Sequence, residues 1–235
     1  MALIDNLVLY SNFEDASSTT VVENTGTYTI TKASSGNPVE AAGLIADCQD
    51  FTADYISTNF SPSVTIGTGD FTLAFWFNCG TSASRRSVVH LGGNTTFADV
   101  ILVQFYETGA GSTVAIGSRT GAAGYAEIVS GSGLFDSNWH LCVFDRSGST
   151  ANMYIDNGSA ISSTDAEWAN PLNTLFKIGA SYNTNANPYT GLLDEMGLWT
   201  RILTSGERTE LYNSGAGITY PFTSATNTTN FFIMM

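Results

Sequence analysis

The 235-residue sequence predicts an all-β fold, a two-sheet antiparallel sandwich with one short helix near its C-terminal end. Short runs rich in aromatic and β-branched residues recur between clusters of Gly, Ser, Asn and Thr, a pattern of sandwiches rather than of alternating strands and helices. One run alternates strictly, with Phe71, Leu73, Phe75 and Phe77 on one face and Thr72, Ala74, Trp76 and Asn78 on the other. Near the end, Thr204-Ser205-Gly206-Glu207 has the spacing of a capping box, in which hydroxyl and carboxylate each satisfy an orphan backbone amide.

In chain order the candidate strands are Leu7 to Tyr10, Tyr28 to Thr31, Leu44 to Cys48, Tyr55 to Thr58, Phe71 to Asn78, Ser87 to Leu91 and Val100 to Tyr106. They continue with Thr113 to Ser118, Ala126 to Val129, His140 to Asp145, Ala151 to Ile155, Leu175 to Ile178 and Leu192 to Trp199. The phenylalanine face of the fifth is core. Asp156-Asn157-Gly158 supplies residues that tolerate positive φ and is read as a hairpin turn. The capped helix takes an apolar side from Leu211 and Tyr212 and ends at Gly215 or Gly217. The expected organisation is one domain over residues 1–221 and a tail over 222–235.

Hydrophobic residues make up 43% of the chain and charged residues only 12%, so the polar surface is built from Ser, Thr, Asn and Gly. A net charge of -13 with no Lys/Arg cluster excludes a phosphate-binding nucleic-acid surface. No stretch approaches the ~18 apolar residues of a membrane span. Cys48, Cys79 and Cys142 form neither a paired framework nor a zinc motif and are expected to be buried thiols. The opening MALIDNLVLY lacks the basic segment of a secretory signal, so the chain is expected to be made in a cytoplasm and to leave by lysis or within a particle.

Four segments, LVLYSNFED, FTLAFWFN, NWHLCVFDRSGSTANMYIDNG and GLLDEMGLWTRILTSGERTELYNSGAG, in this order, resemble the laminin G-like, concanavalin A-like jelly-roll superfamily. The resemblance runs from about Leu7 to about Pro221 and implies a jelly-roll sandwich of the kind found in phage structural proteins and bacterial secreted proteins. Hydrolases on such a sandwich set three acids on one face of a strand, and no Glu-x-Asp-x-Glu-like run exists here. His90 and His140 lie in apolar runs without a nucleophile motif. A non-enzymatic module is expected.

Alternation places Asp194 on the same face as Met196 and Leu198, expected to be the core face, where a carboxylate needs a compensating partner. The resemblance implies one structural Ca2+ held by Asp194 with Asn12, Glu14 and the Gly43 region; otherwise Asp194 caps local amides or pairs with Arg201. Glu195 is expected to be solvated or Arg-paired. Glycan recognition uses aromatic rings beside loop amides and acids, which makes Trp168, Tyr182, Tyr189 and Trp76 candidates; for Trp76 the alternative is packing under the helix, and for Tyr189 closing a loop. The run Phe231, Phe232, Ile233, Met234 and Met235 is expected to dock on a partner or fold back. Together these features lead to the expectation of a module on a virus particle, a bacteriophage capsid decoration or fibre protein, bound to other virion proteins or to copies of itself, with cell-surface glycans as a further expected partner. The alternatives are a secreted bacterial carbohydrate-binding module or adhesin and, last, a glycoside hydrolase.

Overall fold

Strand β7 (Phe71–Asn78) sits at the centre of one sheet, and both of its faces are buried. The computed structural model describes residues 1–14, 19–32, 38–54, 56–61, 64–81, 85–93, 99–108, 111–121, 124–172, 176–181 and 187–222. In chain order the strands before β7 are β1 (Leu7–Ser11), β2 (Thr20–Val21), β3 (Thr29–Lys32), β4 (Val39–Ala42), β5 (Asp47–Asp54) and β6 (Ile56–Ser61). After it come β8 (Arg86–Gly92), β9 (Val100–Thr108), β10 (Gly111–Arg119), β11 (Ala126–Val129) and β12 (Trp139–Ser147). The last are β13 (Thr150–Ile155), β14 (Ile161–Thr164), β15 (Phe176–Ile178) and β16 (Tyr189–Trp199), followed by helix α1 (Ser205–Tyr212).

These strands form two antiparallel eight-stranded sheets. The first runs β14-β13-β12-β7-β16-β5-β4 with β1 also on β16; the second runs β11-β10-β9-β8-β15-β6-β3-β2. The expected all-β sandwich is therefore observed. Strand ends moved: Leu44 to Ile45 belong to a turn rather than to β5, and β2, β4 and β14 are short, polar or weakly patterned strands with little sequence signal.

Between the sheets, Phe71, Leu73, Phe75 and Phe77 meet Val103, Phe105, Val114 and Ile116 in the main core. Each such fully buried side chain is worth about 1.5–3 kcal/mol of transfer free energy. The opposite face of β7 is not solvated. Ala74 and Trp76 enter a second apolar cluster with Tyr10, Trp199, Leu203 and Leu211, roofed by α1 and the C-terminal stretch. Trp76 stacks on Tyr212, with ring centroids 5.8 Å apart and planes 10° apart, and Tyr220 and Phe222 both pack on Tyr10.

The capping box forms as expected, with Thr204 as the cap and Glu207 reaching back to the cap amide. The helix ends a few residues earlier than expected, at Asn213, which takes the left-handed conformation itself (φ 45°). Asn tolerates that region because its short amide bonds locally; its Nδ2 donates to the Gly217 carbonyl. At the turn after β13, Asp156 (φ 51°) and Asn157 (φ 57°) both adopt positive φ and Gly158 N donates to Ile155 O, the geometry of a type I′ turn. Arg146, fully buried, ties loops to the sandwich through the carbonyls of Gly67, Gly69 and Asn170.

Candidate functional site

Asp194 and Glu195 lie together where β16 meets β1, and both are buried. The register of β16 against β7 shifts between Asp194 and Gly197, and Glu195 carries the positive φ (49°) of a bulge. The bulge breaks the alternation on which the sequence reading relied. Leu193, Met196 and Leu198 face the main core, whereas Asp194 lies opposite Trp76 on the other face of the sheet. Glu195, expected to be solvated or Arg-paired, is instead enclosed beside it and accepts a hydrogen bond from the Tyr10 hydroxyl.

Asp194 Oδ2 caps the amides of Leu44 (2.9 Å) and Ile45 (3.2 Å). Arg201 pairs with Glu207 rather than with Asp194. The turn can approach because residue 43 is glycine: a Cβ there would stand 2.7 Å from Asp194 Oδ2. Burial, with the neighbouring Glu14 charge adding, pushes the Asp194 carboxyl up to about 7 against the opposing pull of those amides. Burial, then the adjacent Asp194, lifts Glu195 to about 8.

Two of the oxygens expected to hold calcium already accept hydrogen bonds from backbone amides. Calcium takes six to eight oxygens. Asp194 Oδ2 is spent on two amides, and Asn12 Oδ1 accepts from the Glu14 amide. Asp194 Oδ1 and Glu195 Oε1 are the buried carboxylate oxygens left without a partner here, and no three His, Cys, Asp or Glu side chains converge as metal ligands among the described residues.

Three of the aromatic residues expected to stack on sugars are core residues. Trp168 is fully buried against Phe144, its Nε1 donating to Ser163 Oγ, because the 3-10 turn Ala166–Ala169, capped by Asp165, folds it inward. Tyr189 is fully buried between Phe51 and Phe105, its hydroxyl donating to Leu192 O. Trp76 lies under α1. Tyr182 and Phe231, Phe232, Ile233, Met234 and Met235 fall outside the described residues. Cys48, Cys79 and Cys142 are buried free thiols, as expected.

The cavity of note lies elsewhere, on the outer face of the second sheet, with a volume of about 640 Å³. Period two builds it. Val103 and Phe105 of β9, Val114 and Ile116 of β10, and Ala126 and Ile128 of β11 point into the core. Leu102, Gln104 and Tyr106, then Thr113 and Arg119, then Tyr125, Glu127 and Val129 point outward. On the middle strand Ala115 and Gly117 face outward too, buried beneath larger side chains, with the Tyr125 ring lying over Gly117. Tyr106 donates its hydroxyl to Gln104 Oε1 (2.9 Å), and Gln104 Nε2 donates to Ser87 Oγ (3.0 Å). Tyr125 donates to Glu127. Arg85 lies over the Tyr106 ring at 4.2 Å and Arg119 over the Tyr125 ring at 5.3 Å. Burial and the neighbouring Glu127 raise the Tyr125 phenol, and burial raises Tyr106, so both remain neutral donors.

A laminin G-like family model, described as the concanavalin A-like lectin/glucanases superfamily, matches residues 50–207. The chain belongs to this superfamily. Among solved structures, the concanavalin A-like sandwich is similar to the binding domain of Paraclostridial Mosquitocidal Protein 1 (TM-score 0.68, 15% identity, 90% of this chain and 52% of that one). It is also similar to the receptor binding domain of botulinum neurotoxin D (TM-score 0.64, 9% identity, 90% and 53%). A third is domain 4 of AbnA, a GH43 extracellular arabinanase from Geobacillus stearothermophilus, in complex with arabinotriose (TM-score 0.64, 15% identity, 87% and 97%). The chain thus spans about half the length of the toxin binding domains. No curated protein matches it in sequence. Among the described residues no helix is long and apolar enough to cross a membrane.

Proposed function

We propose that this chain is a non-catalytic carbohydrate-binding module whose saccharide site is the groove across β9, β10 and β11. The observation that carries the reading is the lining itself: tyrosine rings, an amide, hydroxyls and guanidinium donors converge on one groove. Sugar recognition needs that mixture, because hydroxyl groups want fixed polar partners and the sugar's C–H faces want aromatic or apolar surface. Glu127 is the one carboxylate among the described lining residues, whereas glycoside hydrolysis ordinarily needs a pair. The arabinotriose held by a domain of the same fold supports a sugar as the ligand class. Display on a particle rests on composition and on the apolar 231–235 run, and the proposed groove does not depend on it.

A glycan array probed with the full chain and with Gln104→Ala tests this. The wild type binds a defined set of glycans, and the variant, which removes the amide bridging Tyr106 and Ser87, loses that signal. An array with no bound glycan would overturn the proposal.

A further inference from the structure

Resting on the reading of this groove as a saccharide site, we propose that its ligand is an acidic saccharide whose carboxylate groups are met by Arg85 and Arg119. The argument begins with where the positive charge goes. The chain has 8 Lys and Arg residues against 21 Asp and Glu. Lys32, Arg86, Arg146, Lys177 and Arg201 are buried. Arg208 is half-buried and committed, donating to Leu203 O at 2.7 Å and lying over the Tyr154 ring at 3.9 Å. The two that remain, exposed Arg85 and half-buried Arg119, both line the groove. An acidic protein has therefore placed its available cations at one site.

The posture of these arginines fits an anion better than a neutral sugar. Each guanidinium lies over one face of a tyrosine ring. A cation–π contact takes up the face of a guanidinium and leaves its in-plane N–H donors for a planar acceptor. A carboxylate meets that edge with two parallel hydrogen bonds. Among the described residues neither arginine forms an ion pair, and the Glu127 carboxylate of the same lining accepts from the Tyr125 hydroxyl. Gln104 and Thr113 line the same groove.

Isothermal titration of the full chain with a panel of uronate- and sialate-containing oligosaccharides, their carboxyl-reduced forms and sulfated neutral chains tests the assignment. At least one carboxylate sugar binds, its reduced form binds at least about tenfold more weakly, and Arg85→Gln and Arg119→Gln each weaken binding by about tenfold or more. Arg119→Lys serves as a second variant should Arg119→Gln fail to fold; it keeps the charge but loses the bidentate edge and also binds more weakly. Equal binding of acid and reduced forms, or of sulfated and carboxylated chains, would overturn this inference while leaving the saccharide groove intact. A panel in which neutral glycans bind and no acidic one does would do the same. Binding that survives Gly117→Val, which fills the groove, removes the groove reading and this inference with it.

Discussion

The Tyr125 ring lies directly over Gly117, where an added Cβ would stand 2.7 Å from the Tyr125 hydroxyl and 2.8 Å from its ring edge. That one missing side chain lets the ring settle into the outer face of the second sheet and shapes the groove. Gly117→Val is expected to expel Tyr125 and abolish saccharide binding. Because Tyr125 is 48% exposed and can swing into solvent, stability should change by no more than about 1 kcal/mol. Calorimetric titration beside thermal melting checks both halves; unaltered affinity would contradict a site shaped by the Tyr125 ring.

The buried carboxyls of Asp194 and Glu195 give stability a definite pH dependence. Both titrate above their ordinary values of 3.8 and 4.5, at about 7 and about 8. The native state therefore holds more protons than the unfolded state between those limits, and stability falls as pH rises from about 4 to about 8. A fall of a few kcal/mol corresponds to roughly 5–10 °C in melting temperature. The double variant Asp194→Asn, Glu195→Gln should flatten the profile. His140, held between Asp156 (2.7 Å) and Asp136 (3.2 Å), is also raised and adds a slope of the same sign above its ordinary value of 6.5. His140→Gln separates that contribution.

Calcium should leave the melting midpoint unchanged. The Asp194 carboxylate is already committed to the Leu44 and Ile45 amides through one oxygen. Differential scanning fluorimetry in EGTA and in millimolar calcium gives coincident transitions on this account. A rise of several degrees with calcium, lost in Asp194→Asn, would restore the metal site that the family resemblance implies.

Arg201 and Glu207 hold the chain's start to its capped helix. The pair makes two hydrogen bonds of 2.8 and 2.7 Å, and Arg201 also donates to Ala2 O and Asp5 O. Burial alone would raise the Glu207 carboxyl, but the Arg201 and Thr204 hydrogen bonds outweigh it and hold the group at about 2. Its contribution is present above pH 4.5 and is lost as pH falls through about 2. Glu207→Ala should cost about 3–5 kcal/mol, since it strands a buried guanidinium. Denaturant unfolding at neutral pH reads that loss directly.

Cutting after Phe222, rather than earlier, should preserve the domain, because Phe222 packs on Tyr10 and Trp199. If the apolar run Phe231 to Met235 docks on a second copy, light scattering shows a larger species for the full chain and a monomer for the cut one. Identical monomers would contradict docking between copies.

The fold was legible because its strongest determinants are local. The Phe71 to Phe77 alternation, the Thr204–Glu207 box and the Asp156-Asn157 turn each encode their geometry within a few residues, and all three formed. The acidic pair was half legible. A carboxylate in an apolar strand pointed to burial, but a one-residue bulge at Glu195 reverses every face assignment before it, and nothing in GLLDEMGLW marks where it falls. The groove had a signal that loop aromatics obscured. Leu102, Gln104 and Tyr106 alternate with Val103 and Phe105, and Ala115 and Gly117 alternate with Val114 and Ile116. Only knowledge that β9, β10 and β11 are neighbours turns those patterns into one lined depression, and that pairing is a long-range fact. Trp168 and Tyr189 misled for the opposite reason: polar neighbours in sequence say little when a 3-10 turn or a strand end carries the ring inward.

Amide chemical-shift mapping of the full chain with the tightest-binding glycan tests the central claim most directly. The account predicts a contiguous set of perturbed amides at Gln104, Tyr106, Gly117, Arg119 and Tyr125, with the Asp194 face unmoved. Perturbations clustered instead around α1 and the Asp194–Glu195 bulge, with the β9–β11 face silent, would contradict it.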